Sequence, residues 1–258
     1  MAGGTTKTRL YVDAPLAAGA SVALAPEQAH QLRNVLRLGR GEAVALFNGR
    51  DGEWRAELVE LTKKGGTAQA TERLREQTAE PDIWLVFAPI KRGRVDWLVE
   101  KAVELGAARL LPVITAHTQV ERVRLERLQA HAREAAEQCE RLAMPPVAEP
   151  VTFEALLAGW PQDRLLLYGD ETGGGAPLTD VLAGLGAADR AAPWAVLVGP
   201  EGGFAGRELD ALRNLQFARG VGLGPRVLRA DTAGLALLAC WQAWLGDWHA
   251  RPAFRGHG

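Results

Sequence analysis

Leu197-Val-Gly-Pro-Glu-Gly-Gly-Phe204 ends an apolar run on a turn and leads into a segment of helical periodicity with Arg207 and Glu208 on its charged face. Glycines at such a corner let the main chain adopt conformations closed to other residues and let a ligand approach it closely. Alone, the stretch fits two readings equally well: an anion site at a helix N-terminus or a tight strand-to-helix turn. A second stretch repeats the design, Leu223-Gly-Pro-Arg-Val-Leu-Arg-Ala-Asp-Thr-Ala233, with Asp231 or Thr232 able to cap the helix that follows. Open α/β sheets hold ligands outside the carboxyl ends of their strands, so two such turns on neighbouring parallel strands are expected to line one crevice. The polar side chains offered there are Glu201, Arg226, Arg229, Asp231 and Thr232.

The rest of the chain supports an α/β reading. Ile83-Trp-Leu-Val-Phe87 is continuously apolar, as in a strand buried on both faces, and Val95, Leu98, Val99, Ala102 and Val103 follow at helical spacing. Further strands are expected at 109–114, 165–168, 195–198 and 221–223, with helices at 125–142, 178–185, 206–215 and 231–248 between and after them. That alternation predicts a mostly parallel sheet covered by helices. Residues 9–75 differ: short apolar pieces are broken by Asn48-Gly49 and Asp51-Gly52, hairpin signals that predict a small β-barrel or curled sheet. One helix is expected there at 27–38, a last strand by 71, and a charged linker at 72–81. Two domains follow, 1–75 and 76–258.

Composition narrows the function. The 258 residues are 47% hydrophobic, enough for a substantial core. The net charge is -1, and it divides as 11 basic against 8 acidic side chains through residue 75 and 19 against 23 beyond, so any nucleic-acid site must be local. Two cysteines, Cys139 and Cys240, stand in no metal-ligand or disulfide spacing and suit a reducing cytoplasm. No signal peptide is expected, since Asp13, Pro15 and Gly19 interrupt the N-terminal segment, and the apolar run 233–245 is too short to span a bilayer. No Gly-Lys-Ser/Thr sequence supports a nucleotide hydrolase, and His117, His131 and His249 form no ligand set, so no metal is expected. Trp97, Trp241 and Trp244 fall at core-like helical spacing.

Taken together, Val198-Gly-Pro-Glu-Gly-Gly-Phe204 and Leu223-Gly-Pro-Arg-Val-Leu-Arg229 resemble the C-terminal signatures of the ribosomal RNA small subunit methyltransferase E family, a SPOUT family. His30-Gln-Leu-Arg-Asn-Val-Leu-Arg37, Trp97-Leu-Val-Glu-Lys-Ala-Val-Glu-Leu-Gly106 and Glu134-Ala-Ala-Glu-Gln-Cys-Glu-Arg141 resemble its upstream motifs in the same order. The resemblance implies a PUA-like RNA-binding barrel followed by a SPOUT domain with a C-terminal trefoil knot. It also implies a homodimer that methylates N3 of a uridine in 16S ribosomal RNA of the small subunit, using S-adenosylmethionine. Carried over, the methyl donor would meet Leu197, Gly199, Glu201 and Gly202 in one loop and Leu223, Gly224, Arg226 and Leu228 in another, with a third loop near 167–169. A catalytically inactive RNA-binding module of the same fold is the alternative.

Two departures stand out. Ala230-Asp231-Thr232 replaces the family's Thr-Glu-Thr, which shortens the carboxylate's reach by about 1.5 Å, and Ala116-His-Thr-Gln-Val120 replaces its Glu-Arg-Ser segment. Uracil N3 carries a proton at neutral pH, so positive charge beside its carbonyl oxygens would favour the anion. Arg229 is expected to supply that charge, with Asp231 orienting Arg229 or accepting the proton. RNA capture is expected from His30, Arg33, Arg37 and Arg40, which fall in an eleven-residue stretch free of acids, and from Lys91, Arg92 and Arg94 at the start of a helix whose dipole they oppose.

Overall fold

Apolar runs buried on both faces and alternating runs buried on one face divide this chain into two kinds of sheet. The computed structural model describes residues 6–91, 93–119 and 122–251. It falls into two compact units, Met1–Ala79 with Arg133–Met144, and Glu80–Ala132 with Pro145–Gly258.

The first unit contains β1 (Arg9–Tyr11), β2 (Ser21–Leu24), α1 (Pro26–His30), β3 (Ala43–Phe47), β4 (Glu53–Thr62) and β5 (Gly65–Arg75). Its five strands form a sheet in the order β1-β3-β4-β5-β2, antiparallel except for β1 beside β3. Register shifts along the β4–β5 pair mark bulges, which curl the sheet around Leu10, Val22, Leu32, Val44, Leu46 and Leu58. Asn48 Oδ1 accepts from the amides of Arg50 (3.0 Å) and Asp51 (2.9 Å), and Gly49 and Gly52 adopt φ of 78° and 80°, as the turn dipeptides require. The buried Glu53 pairs with Arg9 and Arg75, and Arg9 also donates to the carbonyls of Ala136, Glu137 and Arg141, which fastens 133–144 to this sheet. The linker expected at 72–81 begins inside β5, where Glu72 and Arg73 are exposed and Arg75 pairs with Glu53, and composition alone cannot tell such a charged strand end from a loop.

The helix expected at 27–38 is different as well. α1 stops at His30 and gives way to a π turn over Gln31–Val35, closed by Leu36 N to Gln31 O (2.9 Å) and Leu38 N to Leu32 O (2.8 Å). Leu32 and Leu38 are both buried, yet an α-helix would place residues six apart roughly 240° from each other around its axis. The wider turn, followed by Arg37 at φ 57°, returns Leu38 to the core. A left-handed conformation costs a residue with a Cβ about 1–2 kcal/mol.

In the second unit come β6 (Ile83–Phe87), α2 (Arg94–Glu104), β7 (Arg109–Ile114), α3 (Leu125–Gln138), β8 (Val151–Thr152), α4 (Phe153–Ala158), β9 (Leu165–Gly169), β10 (Ala176–Pro177), α5 (Leu178–Ala183), α6 (Ala187–Ala191), β11 (Trp194–Val198), α7 (Gly206–Arg213), β12 (Ala218–Gly222) and α8 (Ala230–Trp244). The end of α3 is counted with the first unit. All seven strands are parallel, in the order β10-β12-β9-β11-β6-β7-β8. Every side chain of β11 is buried, and α8 packs on α2, β6, β9 and β11. The strands carrying the two Gly-Pro turns are therefore not neighbours: β9 lies between β11 and β12. Trp241 is buried as its spacing predicts, but Trp97 and Trp244 are 43% and 45% exposed, because the stripes of α2 and α8 that face each other leave these positions on the outer side. Among the described residues no helix is long and apolar enough to cross a membrane.

Candidate functional site

The carboxyl ends of β9, β11 and β12 open into a cavity of about 510 Å³ lined by residues 169–173, 198–201 with 203, and 221–230 with 233. The three strands are consecutive in the sheet, so their terminal loops converge although they come from distant parts of the chain. Of the residues expected to meet a methyl donor, Gly199, Glu201, Leu223, Gly224, Arg226 and Leu228 line this space. Leu197 lies in the core beneath it, and Gly202 faces His117 instead. Arg229 also lines the cavity, and Val227 beside it is 87% exposed.

Three polar side chains hold the 199–204 loop. Glu171 Oε1 accepts from the Phe204 amide at 3.0 Å, joining this loop to the one after β9. His117 Nδ1 stands 3.1 Å from the carbonyl oxygens of both Gly202 and Gly203, so this nitrogen carries the proton and donates. Glu208, 2% exposed, accepts from Ala205 N and Ala116 N at 2.8 Å each, which locks the start of α7 to the loop after β7. Gly203 has φ 68°, and a Cβ there would overlap Glu171 Oε1, while a Cβ on Gly199 would press the Phe204 ring at 3.1 Å. The loop after β9 has its own anchor. Asp170 is buried beneath it and accepts from the Thr172 amide at 3.0 Å, the Thr172 hydroxyl at 2.5 Å and Arg213 Nη2 at 3.2 Å. Burial alone would raise the Asp170 carboxyl, but these donors outweigh it and hold it below the ordinary carboxylate value.

Asp231, in the first turn of α8, is 4% exposed and pairs with Arg94, whose Nη2 lies 2.9 Å from Oδ1 and 2.8 Å from Oδ2. The carboxylate expected to orient Arg229 thus orients Arg94, on the first turn of α2, and Arg229 itself is the N-cap of α8. The expected cap by Asp231 or Thr232 is absent because both stand inside the helix. Two residues beyond Arg94, Asp96 accepts from Gly93 N at 3.2 Å and from Arg127 Nε at 3.0 Å, which balances the cations at that helix start. Lys91 is exposed, and Arg92 lies outside the described residues. In the first unit His30, Arg33, Arg37 and Arg40 are all exposed.

Glu171, Glu208, Asp170 and His117 were not among the expected site residues. Only Glu208 had a signal, three residues after Ala205 at a helix start, and its bond to Ala116 joins positions 92 apart.

The RNA methyltransferase domain family matches residues 76–242, and the RNA methyltransferase PUA domain matches residues 24–70. The chain is 30% identical over 232 residues to the ribosomal RNA small subunit methyltransferase E of Rickettsia conorii, covering 90% of this chain and 93% of that one. It is 36% identical over 228 residues to the protein of the same name from Synechocystis, covering 85% and 72% respectively. The crystal structure of a ribosomal RNA small subunit methyltransferase E from Neisseria gonorrhoeae bound to S-adenosyl methionine superposes with a TM-score of 0.81 at 29% identity, covering 93% of this chain and 99% of that one.

Proposed function

The chain belongs to the ribosomal RNA small subunit methyltransferase E family, and from that membership we propose that it transfers a methyl group from S-adenosylmethionine to N3 of a specific uridine in 16S ribosomal RNA. The observation that carries the reading is the single cavity formed by the loops after β9, β11 and β12. Its volume lies within the ordinary range for small-molecule sites, and the open space beside Gly224 suits a ligand held largely by backbone groups. Gly199 and Glu201 on one side, with Leu223, Gly224, Arg226 and Leu228 on the other, would hold the donor, while Leu197 in the core beneath and Gly202 against His117 would support that wall. When bound, the donor supplies an electrophilic methyl carbon.

The protein's work is then positioning and electrostatics. Arg229 and Asp231 are the proposed catalytic residues. Arg229, at the cavity wall, offers positive charge to the uracil oxygens as N3 loses its proton. Asp231 acts from below by fixing Arg94, so that a second cation is held in one orientation. His30, Arg33, Arg37, Lys91 and Arg94 are the proposed RNA contacts, with residues 1–75 as the RNA-binding domain and 76–258 as the methyltransferase domain. The C-terminal segment carrying β12 and α8 is proposed to thread the trefoil knot of SPOUT folds. The exposed indoles of Trp97 and Trp244, on two helices that pack together, support a homodimer. Two cysteines in no disulfide spacing support a reducing cytoplasm, and the small ribosomal subunit is the proposed setting.

Nucleoside mass spectrometry of 16S ribosomal RNA from cells lacking this chain tests the reading: 3-methyluridine is expected to disappear, and its persistence overturns the assignment. Thermal stabilisation by S-adenosylhomocysteine separates the enzyme from an inactive RNA-binding module, whose pocket would give none.

A further inference from the structure

The turn that replaces the expected helix in the first unit leaves an unusual surface. Leu32 and Leu38 are buried and pin its two ends, while Val35 and Leu36 between them are 66% and 39% exposed. Arg33 and Arg37 flank this apolar pair, and Arg40 and His30 stand just outside it, all exposed. Among the described residues none of these four cations is ion-paired. The adjacent acids lie beyond the stretch, and Glu42 is engaged with the amide of Gly39 at 2.8 Å. Arg37 keeps a left-handed backbone where glycine would be at ease. Apolar side chains ringed by guanidinium groups match a nucleobase face between phosphates, and a duplex with its bases stacked inside offers no such face.

We propose that Val35 and Leu36 seat one unpaired base of the RNA, while Arg33 and Arg37 hold the phosphates on either side of it. This deepens the reading of the chain as an RNA methyltransferase and rests on it. The two contributions separate by salt. Phosphate contacts steepen the loss of affinity with ionic strength by about 0.7 per contact on a single strand, whereas an apolar seat leaves that slope alone.

The test measures binding of the full chain to a single-stranded RNA oligonucleotide, intact or carrying one abasic nucleotide, across a salt series. Val35→Ser with Leu36→Ser is expected to weaken binding to intact RNA about tenfold, to leave the salt slope unchanged and to abolish the preference over abasic RNA. Arg33→Gln with Arg37→Gln is expected to reduce the slope by about 1.4. Arg37→Gly, which relieves the backbone, is expected to fold at least as stably as the parent yet bind more weakly. If the serine pair binds both RNAs like the parent while the glutamine pair is weakened, the base seat is wrong and the RNA reading of this unit survives. If neither pair changes binding, both fall.

Discussion

Arg94 reaches across 137 positions of sequence to place one nitrogen within 2.9 Å of both carboxylate oxygens of Asp231. The pair ties the start of α2 to the start of α8, beside the residues that wall the cavity. Asp231 is nearly inaccessible and Arg94 is only partly covered, so removing the carboxylate leaves a cation that water can still reach. Asp231→Ala is therefore expected to cost about 1–2 kcal/mol of stability, below the range for a fully buried pair. It should lower kcat more than it weakens S-adenosylhomocysteine, and Asp231→Asn should retain the fold but not the rate. Thermal melts beside single-turnover methylation would show this, and a full-speed Asp231→Asn would remove the pair from the mechanism.

The tether between Glu171 and the Phe204 amide yields a second expectation. Glu171→Ala deletes a charge-assisted hydrogen bond without touching the core, and at this exposed position the loss should weaken S-adenosylhomocysteine about tenfold, or about 1.4 kcal/mol. Gly203→Ala should do more, since its φ of 68° disfavours any side chain and the new Cβ would displace the same carboxylate. Calorimetric titration would detect both. Equal affinity in all three proteins would mean that the 199–204 loop does not need this anchor.

What the sequence makes legible follows the range of the interactions. Asn48-Gly49 and Asp51-Gly52 announce their turns because the positive φ is a property of the glycines themselves. Ile83–Phe87 and Trp194–Val198 announce buried strands because both faces are apolar. Val151–Thr152 and Ala176–Pro177 are too short to carry any period, and pairing with longer neighbours alone makes them strands. The insertion of β9 between β11 and β12 is likewise silent, since strand order depends on how crossovers pack rather than on local pattern. The same holds in the site. Glycines of the two loops could be named from their motifs, but Arg94 on Asp231, Phe204 on Glu171 and Ala116 on Glu208 lie 33 to 137 positions from their partners and leave no periodic trace.

Asp170 should make the loop after β9 sensitive to acid. Its folded carboxyl is held below the ordinary value of 3.8, so its contribution to stability is complete above that value and is lost as pH falls through the lower, folded one. Asp170→Asn keeps the shape and removes the titration. The stability gap between parent and variant, about 1–3 kcal/mol at pH 6, should narrow as the pH is taken toward 3. Denaturant melts across that interval measure the gap directly. Burial raises the carboxyl of Glu137, whose contribution runs the other way with pH, and the comparison cancels it because both proteins retain Glu137.

Glu208 poses the sharpest question about how the cavity's walls are held, because its two oxygens serve two amides from different loops. Glutamine can satisfy only one of them, and its amide group then turns a donor toward the other N–H. With Glu208 2% exposed, the orphaned N–H is left facing a buried side chain that cannot accept from it, and the substitution should cost about 1–3 kcal/mol. In a chain of this size that corresponds to a fall in Tm of about 2–10 °C. The damage should spread to the donor site, since His117 holds the carbonyls of Gly202 and Gly203 only while the Ala116 amide keeps its loop docked on Glu208. Glu208→Gln should thus lower both Tm and S-adenosylhomocysteine affinity, whereas His117→Ala, which removes the ring but spares Glu208, should lower affinity with little change in Tm. A Glu208→Gln protein that melts early yet binds normally would mean that the two loops are held independently.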